Sequence, residues 1–185
     1  MLMKAKRWFI SIVLVLVLLV GVRCNSTSDE TGTEPEVQEQ PFIEHSIDSN
    51  FDGIHCIKVI ELNFDGVLDV IGSSWKMNQL AYWTGQDLAN DQWEKTMVTD
   101  QLIVATNVRG RDMDRDGDID IVAVGKDPGE LAIFLNDNFF WTRQVVKPNF
   151  EGGTALAVID LDGDGDDDIV AGASALGNLS WWENR

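Results

Sequence analysis

A nine-residue acidic pattern occurs three times in this chain at nearly even spacing, and that recurrence limits the fold more than any other feature. The copies begin at Glu61, Asp112 and Asp160, so their starts lie 51 and 48 residues apart. The second carries Asp112, Asp114, Asp116, Asp118 and Asp120, with Gly117 at its sixth position. The third carries Asp160, Asp162, Asp164, Asp166, Asp167 and Asp168, with Gly165 sixth. The first is weaker: Glu61, Asn63, Asp65, Gly66, Val67 and Asp69. Self-similarity at a period of about 20–50 residues means that one supersecondary unit is repeated, each copy too small to bury its apolar face alone.

The flanks repeat with the loops. Each loop runs into an apolar stretch (Val70 and Ile71; residues 121–124; residues 169–171), then a turn, then a second stretch at residues 80–83, 131–134 or 179–182. A further stretch opens on an aromatic in each repeat, at residues 42–47, 93–98 and 141–146. Residues 54–60, 103–111 and 155–159 lead into the three loops. β-branched and aromatic residues at short intervals between turns are strand signals. Four short strands per period of about 50 residues is the arithmetic of a propeller blade. The expected fold is therefore all-β, with β-propeller-type blades as three four-stranded repeats over residues 42–185, in a shifted phase: the chain begins on an outer strand at residues 42–47 and its last blade ends on a third strand. An all-β sandwich would not return the same aspartate and aromatic positions three times.

These repeats resemble the FG-GAP or VCBS repeat family, related to the blades of integrin α-subunit propellers. The resemblance rests on Asp-x-Asp-x-Asp-Gly-x-x-Asp followed by β-branched residues, then a Gly-x-Leu turn and paired aromatics, in register three times. Glu61, Asn63 and Val67 depart from the pattern in the first loop, and Arg109, Gly110 and Arg111 break the apolar run entering the second. The resemblance implies a binding, adhesion or scaffolding module with structural calcium. It also implies that position seven ligates through its main-chain carbonyl, at Asp118 and Asp166.

The loop chemistry points the same way. Positions one, three and five set oxygen donors on the inside of a tight turn, glycine at six permits the reversal, and position nine closes the shell. Hard oxygen donors in a flexible loop, with no nearby His or Cys, suit Ca2+ over zinc or magnesium. The candidate ligands are Asp112, Asp114, Asp116, Asp118 and Asp120; Asp160, Asp162, Asp164, Asp166 and Asp168; and Glu61, Asn63, Asp65 and Asp69. An EF-hand opens similarly but needs Glu at position twelve, where this chain has Gly72, Ala123 and Ala171. The plain alternative is a set of acidic turns that hold no ion, most relevant to the first loop.

The N-terminus reads separately. Lys4, Lys6 and Arg7 precede an apolar run at residues 8–22, the layout of an export signal. Fifteen residues of helix cover about 22 Å against a hydrocarbon core of about 30 Å, which favours a signal peptide over a permanent anchor. Residues 19–24 resemble a bacterial lipoprotein signal with Cys24 as the lipidated residue, although Arg23 stands where that pattern wants a small one. A signal peptide, a lipoprotein signal and an anchor at residues 1–24 all place the domain outside the cytoplasm, secreted or held at a membrane's outer face. Residues 25–41 follow as an acidic linker: Asp29, Glu30, Glu34, Glu36 and Glu39 lie among polar residues and prolines, too little apolar surface to fold. Cys56 is the one cysteine beyond Cys24, so a disulfide framework is not expected and Cys56 reads as a small core hydrophobe.

Formal net charge is −17, and the three acidic loops hold much of it, which argues against nucleic acid as a partner. His45 and His55 are the only histidines, and neither has a Ser or Cys partner at a catalytic spacing, so no enzyme is expected. The alternative is a polysaccharide-active, lyase-like enzyme or accessory domain. Trp83, Trp93, Trp141 and Trp182 recur at blade positions and read as core rather than as sugar platforms. Lys58 and Arg109 share a repeat position and read as walls of a central channel. The partner is an unidentified protein or carbohydrate. Three blades are fewer than the four to eight that close a propeller. Two readings follow: residues 42–47 complete the last blade of a second copy, giving a six-bladed homodimer, or further blades belong beyond Arg185.

Overall fold

Short β-branched runs separated by Gly-, Asn- and Asp-containing turns make eleven antiparallel strands in a computed structural model that describes residues 42–185. The export segment at residues 1–24 and the acidic linker at residues 25–41 lie outside the described residues. The first sheet joins β1 (Ile54–Ile60), β2 (Asp69–Ser74), β3 (Gln79–Asp87) and β4 (Gln92–Thr99) in sequence order. The second joins β5 (Ala105–Arg111), β6 (Asp120–Gly125), β7 (Glu130–Asp137) and β8 (Phe140–Pro148) in the same way. The third holds β9 (Gly153–Ile159), β10 (Asp168–Ala173) and β11 (Asn178–Trp182). These are propeller-type blades, each an antiparallel meander with the acidic loop between its first and second strands.

In the first two blades the aromatic-led stretch is the outer strand, as the shifted phase requires: Trp93 lies in β4 and Trp141 in β8, paired with β3 and β7. One expectation needs correction. Residues 42–47 form no strand, and the third sheet has three strands rather than four. An aromatic-led stretch becomes a strand only where a neighbouring strand pairs with it, and residues 42–47 have none among the described residues.

Burial follows from stacking blade on blade. All six residues of β2 and all six of β6 are buried, as expected for central strands covered on both faces. One cluster joins Leu62, Ile71, Leu80 and Tyr82 of the first blade to Val108, Ile121, Ala123, Ala132 and Phe134 of the second. Its counterpart joins Met113, Val122, Leu131 and Ile133 to Leu156, Ile169 and Ala171 of the third. A third cluster gathers Phe51, Val70, Ala81 and Trp83 on the opposite face of the first blade. Trp93, Trp141 and Trp182 pack against these clusters, so the repeating tryptophans are core as expected.

One core position escapes the loop and strand motifs. Phe51, Leu102 and Phe150 share the 51- and 48-residue offsets, and each is buried just ahead of an inner strand. Phe51 meets Trp83 edge-on at 4.8 Å between ring centroids, and Phe150 meets Trp182 edge-on at 5.6 Å. Each acts as a wedge behind its blade, in a geometry that favours aromatic pairs. Lys95 lies over both Phe51 and Trp83 and pairs with Asp48 at 2.9 Å.

Candidate metal sites in the blade loops

The loops are shaped by side chains that bond their own backbone. In the second loop, Asp116 N–H donates to Asp114 Oδ1 (3.3 Å), Asp118 N–H to Asp116 Oδ1 (2.8 Å) and Gly117 N–H to Asp112 Oδ2 (3.1 Å). The third repeats this with Asp164 N–H to Asp162 Oδ1 (3.1 Å), Asp166 N–H to Asp164 Oδ1 (2.9 Å) and Gly165 N–H to Asp160 Oδ2 (3.1 Å). Such Asx-type turns curl the chain around its own carboxylates. Position six takes φ of 87°, 100° and 97° at Gly66, Gly117 and Gly165, as glycine allows.

Position four is also left-handed, with φ of 56° at Phe64, 64° at Arg115 and 84° at Gly163. Only the third loop meets that demand with glycine. Holding a non-glycine residue there costs about 1–2 kcal/mol, partly offset by glycine's extra unfolded-state entropy of about 0.5–1 kcal/mol. Phe64 is exposed, so little packing is lost on truncation. Phe64→Gly is therefore expected to stabilise the protein by about 0.5–1 kcal/mol, read as a higher urea midpoint at unchanged slope. A lower midpoint would show that the Phe64 ring contributes packing of its own.

The predicted ligands converge unequally. One carboxylate oxygen from each of Asp112, Asp114 and Asp116 lies within 4.8 Å of the others, and Asp160, Asp162 and Asp168 form a second such group. Asp112 Oδ1 is buried without a hydrogen-bond partner. A buried anionic oxygen of this kind fits a cation among the three carboxylates, since leaving it unpaired is costly. Among the described residues, Glu61, Asn63, Asp65 and Asp69 form no three-acid group. The first loop satisfies itself: Asn63 Nδ2 donates to Asp65 Oδ2 at 2.9 Å, and Glu61 Oε1 accepts from Asp65 N–H at 3.1 Å.

Position nine has a role that the motif did not reveal. Asp69 accepts from Leu62 N–H (2.9 Å) and Gly85 N–H (3.2 Å), Asp120 from Met113 N–H (2.7 Å) and Asn136 N–H (2.8 Å), and Asp168 from Leu161 N–H (3.0 Å) and Asn184 N–H (2.8 Å). All three carboxylates are fully buried. In every blade the ninth residue ties its own loop to the backbone at the end of the third strand or just beyond it. Burial pushes the Asp120 carboxyl up to about 6; its two backbone bonds oppose that rise, and Asp114 and Asp116 add to it. For Asp162, the Asp164 N–H pulls the carboxyl down, but desolvation with Asp164, Asp168 and Glu183 nearby leaves it raised overall.

Position seven is engaged elsewhere. Asp118 Oδ2 accepts from Asn138 N–H at 3.0 Å, and Asp166 pairs with Arg115 of the second loop. Arg111 reaches Asp167 at 3.3 Å, so two arginines of the second repeat offset acid in the third. Sequence reading saw Arg111 only as a break in an apolar run.

Lys58, Arg109 and Arg111 line a cleft with Val158 where the inner strands β1, β5 and β9 come together. His45 Nδ1 lies 2.6 Å from Asp91 Oδ1, and His55 Nδ1 lies 2.7 Å from the Thr106 carbonyl oxygen. Cys56 Sγ is 3.4 Å from Asn107 Oδ1 and packs at the edge of the first inter-blade cluster.

Three meander sheets, with an acidic loop and a ninth-position strut in each, define a repeat protein of propeller-type blades. A family profile described as an FG-GAP-like repeat matches residues 112–171, from the first acid of the second loop into β10. That span is similar to the FG-GAP-like repeat family, and the first blade carries the same acidic pattern outside it. No curated protein matches the chain.

Proposed function

We propose that this chain is an extracytoplasmic propeller-type module that binds or scaffolds a protein or carbohydrate ligand, with Ca2+ structural in two blade loops. The observation that carries the calcium reading is the Asp112, Asp114 and Asp116 group with its unpaired, buried Asp112 Oδ1. Asp160, Asp162 and Asp168 would hold a second ion. A bound divalent cation supplies charge that relieves repulsion among carboxylates packed within 4.8 Å of one another. The backbone bonds of the Asx turns already orient these side chains, so the loop is arranged before an ion arrives. The first loop, closed by Asn63 and Glu61, is left out of the set. The extracytoplasmic placement rests on the export-type segment at residues 1–24.

Equilibrium dialysis against calcium tests the reading. Two ions per chain are expected, falling to one in Asp114→Asn and to one in Asp162→Asn. Zero ions bound at millimolar calcium would sink it.

A second reading, a polysaccharide-active enzyme or accessory domain, draws on the Lys58, Arg109 and Arg111 cleft, whose cations suit an anionic sugar chain. Those cations offer charge but no evident base. Turnover of a uronate polysaccharide, abolished by Arg109→Gln, would favour it over the binding module.

A further inference from the structure

The third blade leaves bare the positions that the other two bury. Leu80 and Leu131 are 0 % exposed, each packed between its own blade and the next, while their counterpart Leu179 is 78 % exposed. Tyr82 and Ile133 are likewise buried, and their counterpart Trp181 is 45 % exposed. The outer edge of β11 pairs with no strand among the described residues, whereas β3 and β7 are covered by β4 and β8. An apolar blade face and an open sheet edge coincide, an arrangement that invites pairing.

Both missing pieces are written at the other end of the described chain. Nine positions separate Trp93, near the start of β4, from the wedge Leu102, and nine separate Trp141 in β8 from the wedge Phe150. Nine also separate Phe42 from the wedge Phe51. Residues 42–50 thus repeat the passage from the outer strand of one blade to the wedge and inner strand of the next, yet residues 42–47 pair with no strand and Phe42 is 86 % exposed. Their only hydrogen bond among the described residues is the exposed His45–Asp91 contact. The face of the first blade is short of cover too: Ile57 is 53 % exposed, while its counterparts Val108 and Leu156 are buried.

We propose that two copies of this chain complete each other. Residues 42–47 of each copy form the fourth strand of the other's third blade, and each first blade packs on the other's bare β11 face. Six blades then close about a two-fold axis, within the four to eight that form a ring. The connection through Phe51 spans copies as those through Leu102 and Phe150 span blades within a chain. The register is fixed by the existing sheets: β3–β4 pairs Ala81 with Met97, and β7–β8 pairs Ala132 with Val145. Transferred to β11, both put Ser180 opposite the partner's Ser46.

The test uses the full chain with Cys24→Ser, in mild detergent to hold the apolar N-terminal segment. Ser46→Cys with Ser180→Cys is expected to give a covalent dimer on oxidation, and neither single variant should. Leu179→Asp with Trp181→Asp changes exposed side chains, so it should leave the far-ultraviolet spectrum intact while halving the solution mass from twice the chain mass. A disulfide within one chain, a monomeric mass for the unsubstituted face, or a dimer that survives the Leu179→Asp and Trp181→Asp changes would each overturn the proposal. Repeating the mass measurement with calcium and with chelator separates a failure of assembly from a failure of the loops.

Discussion

Transfer from about 10 mM calcium to chelator is expected to lower the melting temperature by roughly 10–20 °C. Calcium sites in extracellular modules commonly bind at about 10⁻⁴ M, so about 10 mM is on the order of 100 times the dissociation constant. Each occupied site then stabilises the folded state by about 2.7 kcal/mol, and two sites by about 5 kcal/mol. For a domain of this size each kcal/mol shifts the midpoint by about 2–4 °C. Magnesium at the same concentration should do far less, because it demands near-ideal octahedral geometry and gives up its waters reluctantly. The effect should halve in Asp114→Asn, which disables the second loop alone. Identical melting in calcium and chelator would reduce both acidic groups to turns.

Asp69→Ala is expected to destabilise the protein by about 3–6 kcal/mol, by the same amount in calcium and in chelator. Its buried carboxylate accepts from Leu62 N–H and Gly85 N–H, and truncation leaves both donors without a partner. Hydrogen bonds to a charged group contribute about 1.5–3 kcal/mol each, which sets the range. The first loop is the place to measure this, because its acids do not gather around a common point. Urea unfolding in both conditions gives the comparison. A loss seen only with calcium would make Asp69 a ligand, and a loss under about 1 kcal/mol would mean that water replaces the carboxylate.

The repeats, the loops and the all-β class were readable because they are local: a nonapeptide, an apolar run and a turn announce themselves wherever they occur. The absence of a strand at residues 42–47 was not. Residues 42–47 carry the same aromatic-led pattern as β4 and β8, yet only the latter two have a neighbour to pair with. The wedge residues Phe51, Leu102 and Phe150 went unnoticed because a buried position differing between Phe and Leu has no chemical signature apart from its spacing. The strut role of position nine was hidden because a carboxylate that accepts two backbone bonds and one that faces an ion have the same letter, and Asp168 combines its two backbone bonds with a place beside Asp160 and Asp162. The demand for left-handed backbone at position four was hidden for a related reason: Phe64, Arg115 and Gly163 share a conformation but not a chemistry.

The ninth-position struts divide labour inside each loop, and that division sets how such a repeat can change over time. Asp69, Asp120 and Asp168 hold each loop to its sheet through backbone donors, a duty that positions one, three and five do not carry, and Asp168 stands beside Asp160 and Asp162 as well. A loop can then vary at positions one and three, as Glu61 and Asn63 of the first loop differ from Asp112 and Asp114 of the second, while its blade persists. The ninth position, by contrast, is aspartate in all three loops. Among sequences of this kind, loss of an ion site should be a common and reversible event that leaves the strut as the last trace of the loop's ancestry.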